Sequence, residues 1–427
     1  MNTQIITAIV IIAITCFLYI IDKLPVAVTT LIGLLAMVYS GILSVSDAFT
    51  CFVNDAVLLV IGMVIIVNSL VECGMGEKIG KLLDKIAGRN EKLFVVVLFL
   101  LAAFVSMFVT NASLVAMFMP FIATAAVASK GNITKKHTYL PLAMGGLIGG
   151  TASLAGSTAP LYAQQALQEA GITMGFFDTF PVAICIILVL AVCFWFFLYD
   201  LEVKWFDFPE TEEKVVENKE QRTVDKRKET ISIAVLLICL VLFILQPYFM
   251  KTWSLGLIAV TGALVLIVAK CIDGKKALSN MCWPALVTLA GALGIAKGFQ
   301  QAGVGALVCE WLENMGSVGS SPLFLVALFM LVGYVLSLFM SNGALTSMLV
   351  SVAVPLAINL GINPMPLAFA CVFGVSLAMA TPSATTTITM VQVAGYRFKD
   401  YFRFGGLIGV IGLVVSWVTL VLFYGLL

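Results

Sequence analysis

Apolar positions in this chain come in long unbroken blocks. They show neither the alternation of a half-buried strand nor the one-sided stripe of a surface helix. Continuous runs cover roughly 5–21, 24–42, 56–72, 179–199, 230–246, 253–269, 284–300 and 404–425. An α-helix needs about 20 apolar residues to cross the hydrocarbon core, so each run predicts one crossing. Four other stretches, 93–128, 138–168, 322–358 and 364–393, are longer or interrupted. The segments 93–128 and 322–358 exceed a single span and carry a polar tripeptide at mid-length, which predicts re-entrant helical hairpins. The other two are long enough to cross but are broken near the centre by Gly, Pro, Ser and Thr. The pattern predicts an all-α polytopic membrane protein with ten crossings and two re-entrant hairpins.

Composition narrows the class. Of 427 residues, 61% are hydrophobic and 11% charged, where a soluble domain carries about 25% charged residues. The net charge of +1 offers no field for nucleic acid. Unbroken apolar runs argue against a transmembrane β-barrel. Most of the ten cysteines sit inside apolar runs (Cys16, Cys185, Cys193, Cys239, Cys371) without a CxxC pair, as small hydrophobes do. His137, the single histidine, lies beside Lys135 and Lys136 in a basic loop. No nucleophile–base pair, metal-ligand cluster or phosphate loop is legible, so an enzyme is not expected. The N-terminus lacks a basic n-region and a cleavage site and reads as a retained first helix.

Charge sets an orientation. With the N-terminus outside, every Lys and Arg except Lys251 and Lys297 falls in a segment predicted to be cytoplasmic, as the positive-inside rule requires. Both termini are then expected outside, in a prokaryotic inner membrane. The two halves also match. Ser106 to Asn111 aligns with Ser337 to Asn342, and Cys73-Gly74-Met75-Gly76 with Ala302-Gly303-Val304-Gly305. Each half holds five crossings plus one hairpin; an odd number inverts the second copy. Residues 1–92 and 230–321 are the expected scaffold spans, and 93–200 and 322–427 the hairpin, broken helix and last span of each repeat. A charged linker, 201–229, is expected to be solvated. Segments 76–90 and 305–315 read as interfacial helices. Inverted repeats with broken helices are the mark of secondary transporters.

Four polar points fall at the expected midplane. The tips are Thr110-Asn111-Ala112 and Ser341-Asn342-Gly343; the breaks are Gly156-Ser157-Thr158-Ala159-Pro160 and Ala380-Thr381-Pro382-Ser383-Ala384. Freed backbone groups at such depth need protein or a water-filled cavity around them. Ser or Thr before Pro suggests an N-cap and first turn. Helix N-termini there suit an anion, and freed carbonyls with Asn oxygens suit a hard cation such as Na⁺. No carboxylate, Lys, Arg or His is placed deep in a span, which weighs against proton coupling.

On these residues, together with the Gly395 to Arg403 stretch before the last helix, the chain resembles the divalent anion:sodium symporter family of the ion transporter superfamily over nearly its whole length. The resemblance implies a secondary active transporter of small organic anions (di- or tricarboxylates), Na⁺-coupled and homodimeric, working by an elevator-like shift. It implies one Na⁺ site at Ser106, Thr110, Asn111 and Gly156, and a second at Ser337, Met340, Asn342 and Ala380. It implies substrate contacts at Thr110, Asn111, Ala112, Ser157, Thr158, Ser341, Asn342, Gly343, Thr381 and Pro382. No prosthetic group is implied. The family pattern has Thr as the third tip residue; here stand Ala112 and Gly343. Other anions of the superfamily, such as sulfate or arsenite, and Na⁺-independent exchange remain open on the sequence.

Overall fold

The computed structural model describes residues 3–21, 23–73, 90–129, 132–208, 226–249, 253–279, 281, 283–303, 321–338, 342–381 and 385–426. Among them there are helices and no strand. The predicted interfacial helices and most of the linker lie outside the described residues.

The first half runs α1 (Thr3–Ile21), α2 (Val26–Tyr39), α3 (Val45–Thr50), α4 (Asp55–Glu72), α5 (Glu91–Ser106), α6 (Asn111–Ala128), α7 (Tyr139–Gly150), α8 (Thr158–Glu169), α9 (Phe180–Cys193) and α10 (Tyr199–Trp205), the last two joined by a π turn at Phe194–Leu198. The second half repeats the order: α11 (Lys226–Phe249), α12 (Leu255–Val268), α13 (Gly274–Ser279), α14 (Trp283–Gln301), α15 (Pro322–Ser337), α16 (Asn342–Asn359), α17 (Pro364–Ser376), α18 (Thr386–Met390) and α19 (Gly406–Phe423). Element lengths repeat as well: 14 residues in α2 and α12, 16 in α5 and α15, 18 in α6 and α16. Helix starts carry local signals. Asn90 accepts from Lys92 N, Ser254 from Leu257 N and Asn363 from Met365 N, and Ser321 precedes Pro322 at the first turn of α15.

Packing exchanges the halves. α4 packs on α12, and α2 on α14; α5 packs on α7, and α15 on α17; α6 meets α18, and α16 meets α8; α9 lies against α19. Swapping the halves converts each pairing into another, which is the pattern of a pseudo-two-fold. The outside is apolar: Phe196, Leu237, Val268 and Leu422 are well exposed. Such a surface suits lipid, and among the described residues five helical segments are long and apolar enough to cross a membrane.

Charged stretches turn inward at two places. The stretch after 201 is not all solvated tether, because α10 continues to Trp205 with Glu202 fully buried, and α11 already starts at Lys226 with Glu229 buried. His137, in its basic loop, also turns inward. It is buried, with Nδ1 3.2 Å from Glu91 Oε2 and 2.8 Å from Thr134 Oγ1. Loop composition hid both, since a basic or acidic run says nothing about the one member that turns inward.

Candidate functional site

Both hairpins turn at a Ser–Asn pair. In the first, α5 ends at Ser106 and α6 begins at Asn111, and Ser106 Oγ donates to the Asn111 side chain at 2.7 Å. In the second, α15 ends at Ser337 and α16 begins at Asn342, and Ser337 Oγ donates to Asn342 Oδ1 at 2.6 Å. Both serines are fully buried. A backbone carbonyl joins each pair. Ser337 Oγ also reaches Val375 O at 3.1 Å. With its amide nitrogen turned inward, Asn111 donates to Ser106 Oγ at 2.7 Å, Gly146 O at 3.1 Å and Gly156 O at 3.2 Å. With its oxygen turned inward, that oxygen faces the Gly146 and Gly156 carbonyls and accepts from Ser106 Oγ.

The breaks are laced to the hairpins by a matching pair of bonds. Ser153 Oγ donates to Met107 O, and Thr381 Oγ1 donates to Leu338 O at 2.8 Å. Met107 and Leu338 are the cap residues that end α5 and α15. Glycine lets the first break close on its hairpin. A Cβ at Gly156 would collide with the Ser106 carbonyl, and one at Gly150 with Asn111 Oδ1.

The breaks restart as helices against the opposite hairpins. α8 begins at Thr158 with Ser157 as N-cap, and Ser157 Oγ is buried without a hydrogen-bond partner among the described residues. A Cβ at Gly343 would lie 3.2 Å from Thr158 Oγ1 and 3.3 Å from the Tyr162 hydroxyl, so the starts of α8 and α16 meet. In the second break the N-cap is not Thr381, as the Thr-Pro pair suggested. It is Thr385, which accepts from Ile388 N at 3.2 Å. Thr381 is spent on the hairpin instead, and nine residues separate the end of α17 from the start of α18.

The structure therefore brings Ser106, Asn111 and Gly156 into one cluster, and Ser337 and Asn342 into another with Ala380 beside Thr381. Thr110 is half-buried, its Oγ1 donating to Ser113 Oγ at 2.8 Å, and Ala112, in the first turn of α6, is half-buried too. Met340, Ser341 and Pro382 lie outside the described residues. Sequence reasoning missed Gly146, Gly150 and Val375, whose backbone or missing Cβ matters more than any side chain. Among the described residues no His, Cys, Asp or Glu group could hold a metal; the donors at the tips are neutral oxygens and amides.

Two crevices separate the tips and breaks from the longer helices beside them. One lies between α4 and the first tip, lined by Val64, Val67, Asn68, Phe108, Thr110 and Ser113 among others. The other lies among α8, α14 and α16, with Tyr162, Gln165, Glu169, Leu293, Gln300 and Ser347 in its wall.

Helices broken at paired polar points, inside an apolar-surfaced bundle with a two-fold repeat, define a multi-pass membrane transporter rather than an enzyme. The comparisons make this specific. The citrate transporter family model (CitMHS) matches residues 16–374, and the chain belongs to that family. It is 22% identical over 441 residues to the sodium-dependent dicarboxylate transporter SdcS of Staphylococcus aureus (strain USA300), covering 95% of this chain and 83% of that protein. It is 27% identical over 215 residues to the uncharacterized transporter sll0640 of Synechocystis, half of this chain but only 33% of the relative's length. Among solved structures, the YdaH transporter of Alcanivorax borkumensis superposes with a TM-score of 0.65 at 14% identity, over 89% of this chain and 87% of that one. Family and fold agree with the resemblance to the divalent anion:sodium symporters.

Proposed function

We propose that the protein is a Na⁺-coupled transporter of small di- or tricarboxylates. The observation that carries this reading is the pair of repeat-related Ser–Asn–carbonyl clusters, Ser106–Asn111–Gly146 and Ser337–Asn342–Val375. Each gathers neutral oxygens without a carboxylate, which suits a weakly held monovalent cation better than Ca²⁺ or a transition metal. The name of the staphylococcal relative supports sodium as the coupling ion. The anion is then held beside the cations by Thr110, Asn111, Ala112, Ser157, Thr158, Ser341, Asn342, Gly343, Thr381 and Pro382. The orphan hydroxyl of Ser157, at the N-cap of α8, supports that placement, because a buried hydroxyl without a partner is costly. The absence of a titratable group at the tips and breaks, among the described residues, fits metal-ion coupling better than proton coupling.

In this reading the copies are inverted in the membrane and both termini lie outside. Residues 93–200 and 322–427 move together as an elevator against 1–92 and 230–321, joined by 201–229, and the scaffold spans pair two protomers in the inner membrane. Energetics favour at least two cations. A divalent anion entering a negative interior costs about 4.6 kcal/mol per 100 mV, and two Na⁺ cancel that.

The test is uptake of labelled succinate and citrate into proteoliposomes under an inward Na⁺ gradient, against an equal choline gradient. Na⁺-dependent accumulation supports the reading. Equal accumulation in choline would sink the Na⁺ sites and favour exchange. Uptake of sulfate or arsenite in place of both carboxylates would sink the substrate class.

A further inference from the structure

The two crevices differ in a way that bears on where the anion is read. Both use the same face of repeat-related helices: Val64 and Val67 of α4 occupy the positions of Leu293 and Ala296 in α14, 229 residues on. The crevice at α14 contains a carboxylate. Glu169 Oε1 accepts from Gln165 Nε2 at 2.9 Å, and Gln165 Oε1 accepts from Asn54 Nδ2 at 2.7 Å. An anion placed there meets like charge. The crevice at α4 holds no charged side chain. Its polar members are Asn68, Thr110 and Ser113, and its remaining walls are apolar.

Two donors beside this crevice are unspent. Among the described residues, Asn68 Nδ2 is buried without a hydrogen-bond partner. The Thr110 hydroxyl donates to Ser113 Oγ at 2.8 Å, which leaves the proton of the exposed Ser113 hydroxyl free to donate onward. Asn68 and Ser113 line one apolar-walled gap, and their two donors match a carboxylate whose oxygens accept from both, while its carbon skeleton lies against Val64, Val67 and Phe108. A tetrahedral oxyanion such as sulfate offers no apolar surface to those walls.

We propose that Asn68, on a helix outside the hairpins and breaks, donates to a carboxylate of the carried anion together with Ser113 and sets the preference for carboxylates over inorganic oxyanions. This rests on the transport reading above. It assigns a specificity-determining contact to α4, which the tip and break residues alone do not supply.

The test is initial-rate uptake of labelled succinate and citrate by purified, reconstituted full-length protein, wild type against Asn68→Val, Asn68→Ser, Asn68→Asp and Ser113→Ala. Asn68→Val is expected to raise KM at least tenfold with kcat within about threefold. Asn68→Ser keeps a donor and should lie between it and wild type. Asn68→Asp, which sets a negative charge against the anion, should raise KM most. In competition, unlabelled sulfate should inhibit Asn68→Val relatively better than wild type. The proposal is overturned if Asn68→Val and Asn68→Asp both keep KM within twofold. It is also overturned if all three Asn68 variants lose kcat together at unchanged KM, the signature of a packing role. A wild type that takes up neither anion overturns the transport reading, and this inference with it; a transporting wild type with indifferent variants overturns this inference alone.

Discussion

The two hairpin-and-break units carry nearly the same polar atoms on different supports. In the first half the break leans on its own hairpin: Gly145 meets the Phe99 carbonyl, Gly149 the Ala103 carbonyl, Gly150 the Asn111 side chain and Gly156 the Ser106 carbonyl. In the second half only Gly374 repeats this, against the Met330 carbonyl. There the break leans on the last helix, where Gly405 meets the Met379 carbonyl, Gly409 the Leu377 carbonyl and Tyr334, and Gly412 the Leu377 side chain. The matching helix of the first half, α9, has no glycine. Polar geometry is thus duplicated while backbone support is not. Each Ser–Asn pair should therefore fail through a different set of neighbours.

The largest effects should come from filling the glycine contacts. Gly156→Ala puts a Cβ into the Ser106 carbonyl, and Gly405→Ala puts one into the Met379 carbonyl. Backbone cannot yield as a side-chain tip can, so each should cost about 1–3 kcal/mol or more and reduce uptake at least tenfold. Gly406→Ala is the control, since its nearest neighbour would be the Ala380 methyl at 3.7 Å. Thermal unfolding in detergent with parallel uptake checks all three. A Gly156→Ala protein with wild-type stability and uptake would break the contrast between the two supports.

Next come the amides. Asn111→Ala and Asn342→Ala should each lower apparent Na⁺ affinity at least tenfold and reduce the Hill coefficient for Na⁺ toward one. The serines should divide unequally. Ser337 Oγ has two acceptors within reach of its single proton, Asn342 Oδ1 and Val375 O, whereas Ser106 Oγ has Asn111 and only distantly Val109 O at 3.4 Å. Ser337→Ala should cost more stability than Ser106→Ala, by less than the net worth of a full hydrogen bond, about 1 kcal/mol. Equal losses would mean that the second acceptor contributes nothing.

Much of this contrast was legible along the chain, and part of it was not. Apolar runs located the long helices, because span length is a property of the segment itself. The polar tripeptides located both tips for the same reason. The short helices α3 and α13 were missed: each has six residues, too few to show a period. The N-cap of α18 was placed at Thr381 because Thr-Pro is a local signal, while the competing acceptor, Leu338 O, is 43 residues away. The roles of Gly146 and Val375 depend on which carbonyls face the tips, and nothing in a side-chain pattern reports that. The Asp47–Lys297 ion pair at 2.7 Å joins residues 250 apart and was equally invisible.

A motion test sharpens the comparison at the boundary between units. Asn54, just before α4, donates to Gln165 on α8 at 2.7 Å. If α8 slides past α4 during transport, this bond exists in only one state. Joining Asn54→Cys to Gln165→Cys with a short bifunctional thiol reagent should reduce uptake at least tenfold, with recovery on reduction. The single variants treated alike should keep their uptake. Undiminished transport in the joined protein would sink the sliding motion while leaving the ion clusters standing.

The smallest expected effect lies where the first half has a polar network that the described residues of the second do not match. Glu91 opens α5, and its carboxylate accepts from Thr134 N at 2.7 Å, Thr134 Oγ1 at 2.8 Å and the Tyr199 hydroxyl at 2.6 Å, with His137 Nδ1 at 3.2 Å. The repeat-related position, 231 residues on, is Pro322. Burial pushes the Glu91 carboxyl up, but the bonds from His137, Tyr199 and Thr134 outweigh it and hold the group below its ordinary value. A carboxylate depressed on folding stabilises the protein above its unfolded value, near 4.5, and that contribution is lost as pH falls through the folded value. Glu91→Gln should therefore lower the thermal midpoint by a few degrees at pH 7, and the gap from wild type should close as pH drops below about 4.5. Uptake should change little, since the network ties the base of the hairpin to α10 and not its tip. A gap that stays constant from pH 7 to pH 4 would mean that the network acts through shape alone, and the electrostatic difference between the two halves would then be confined to the crevices.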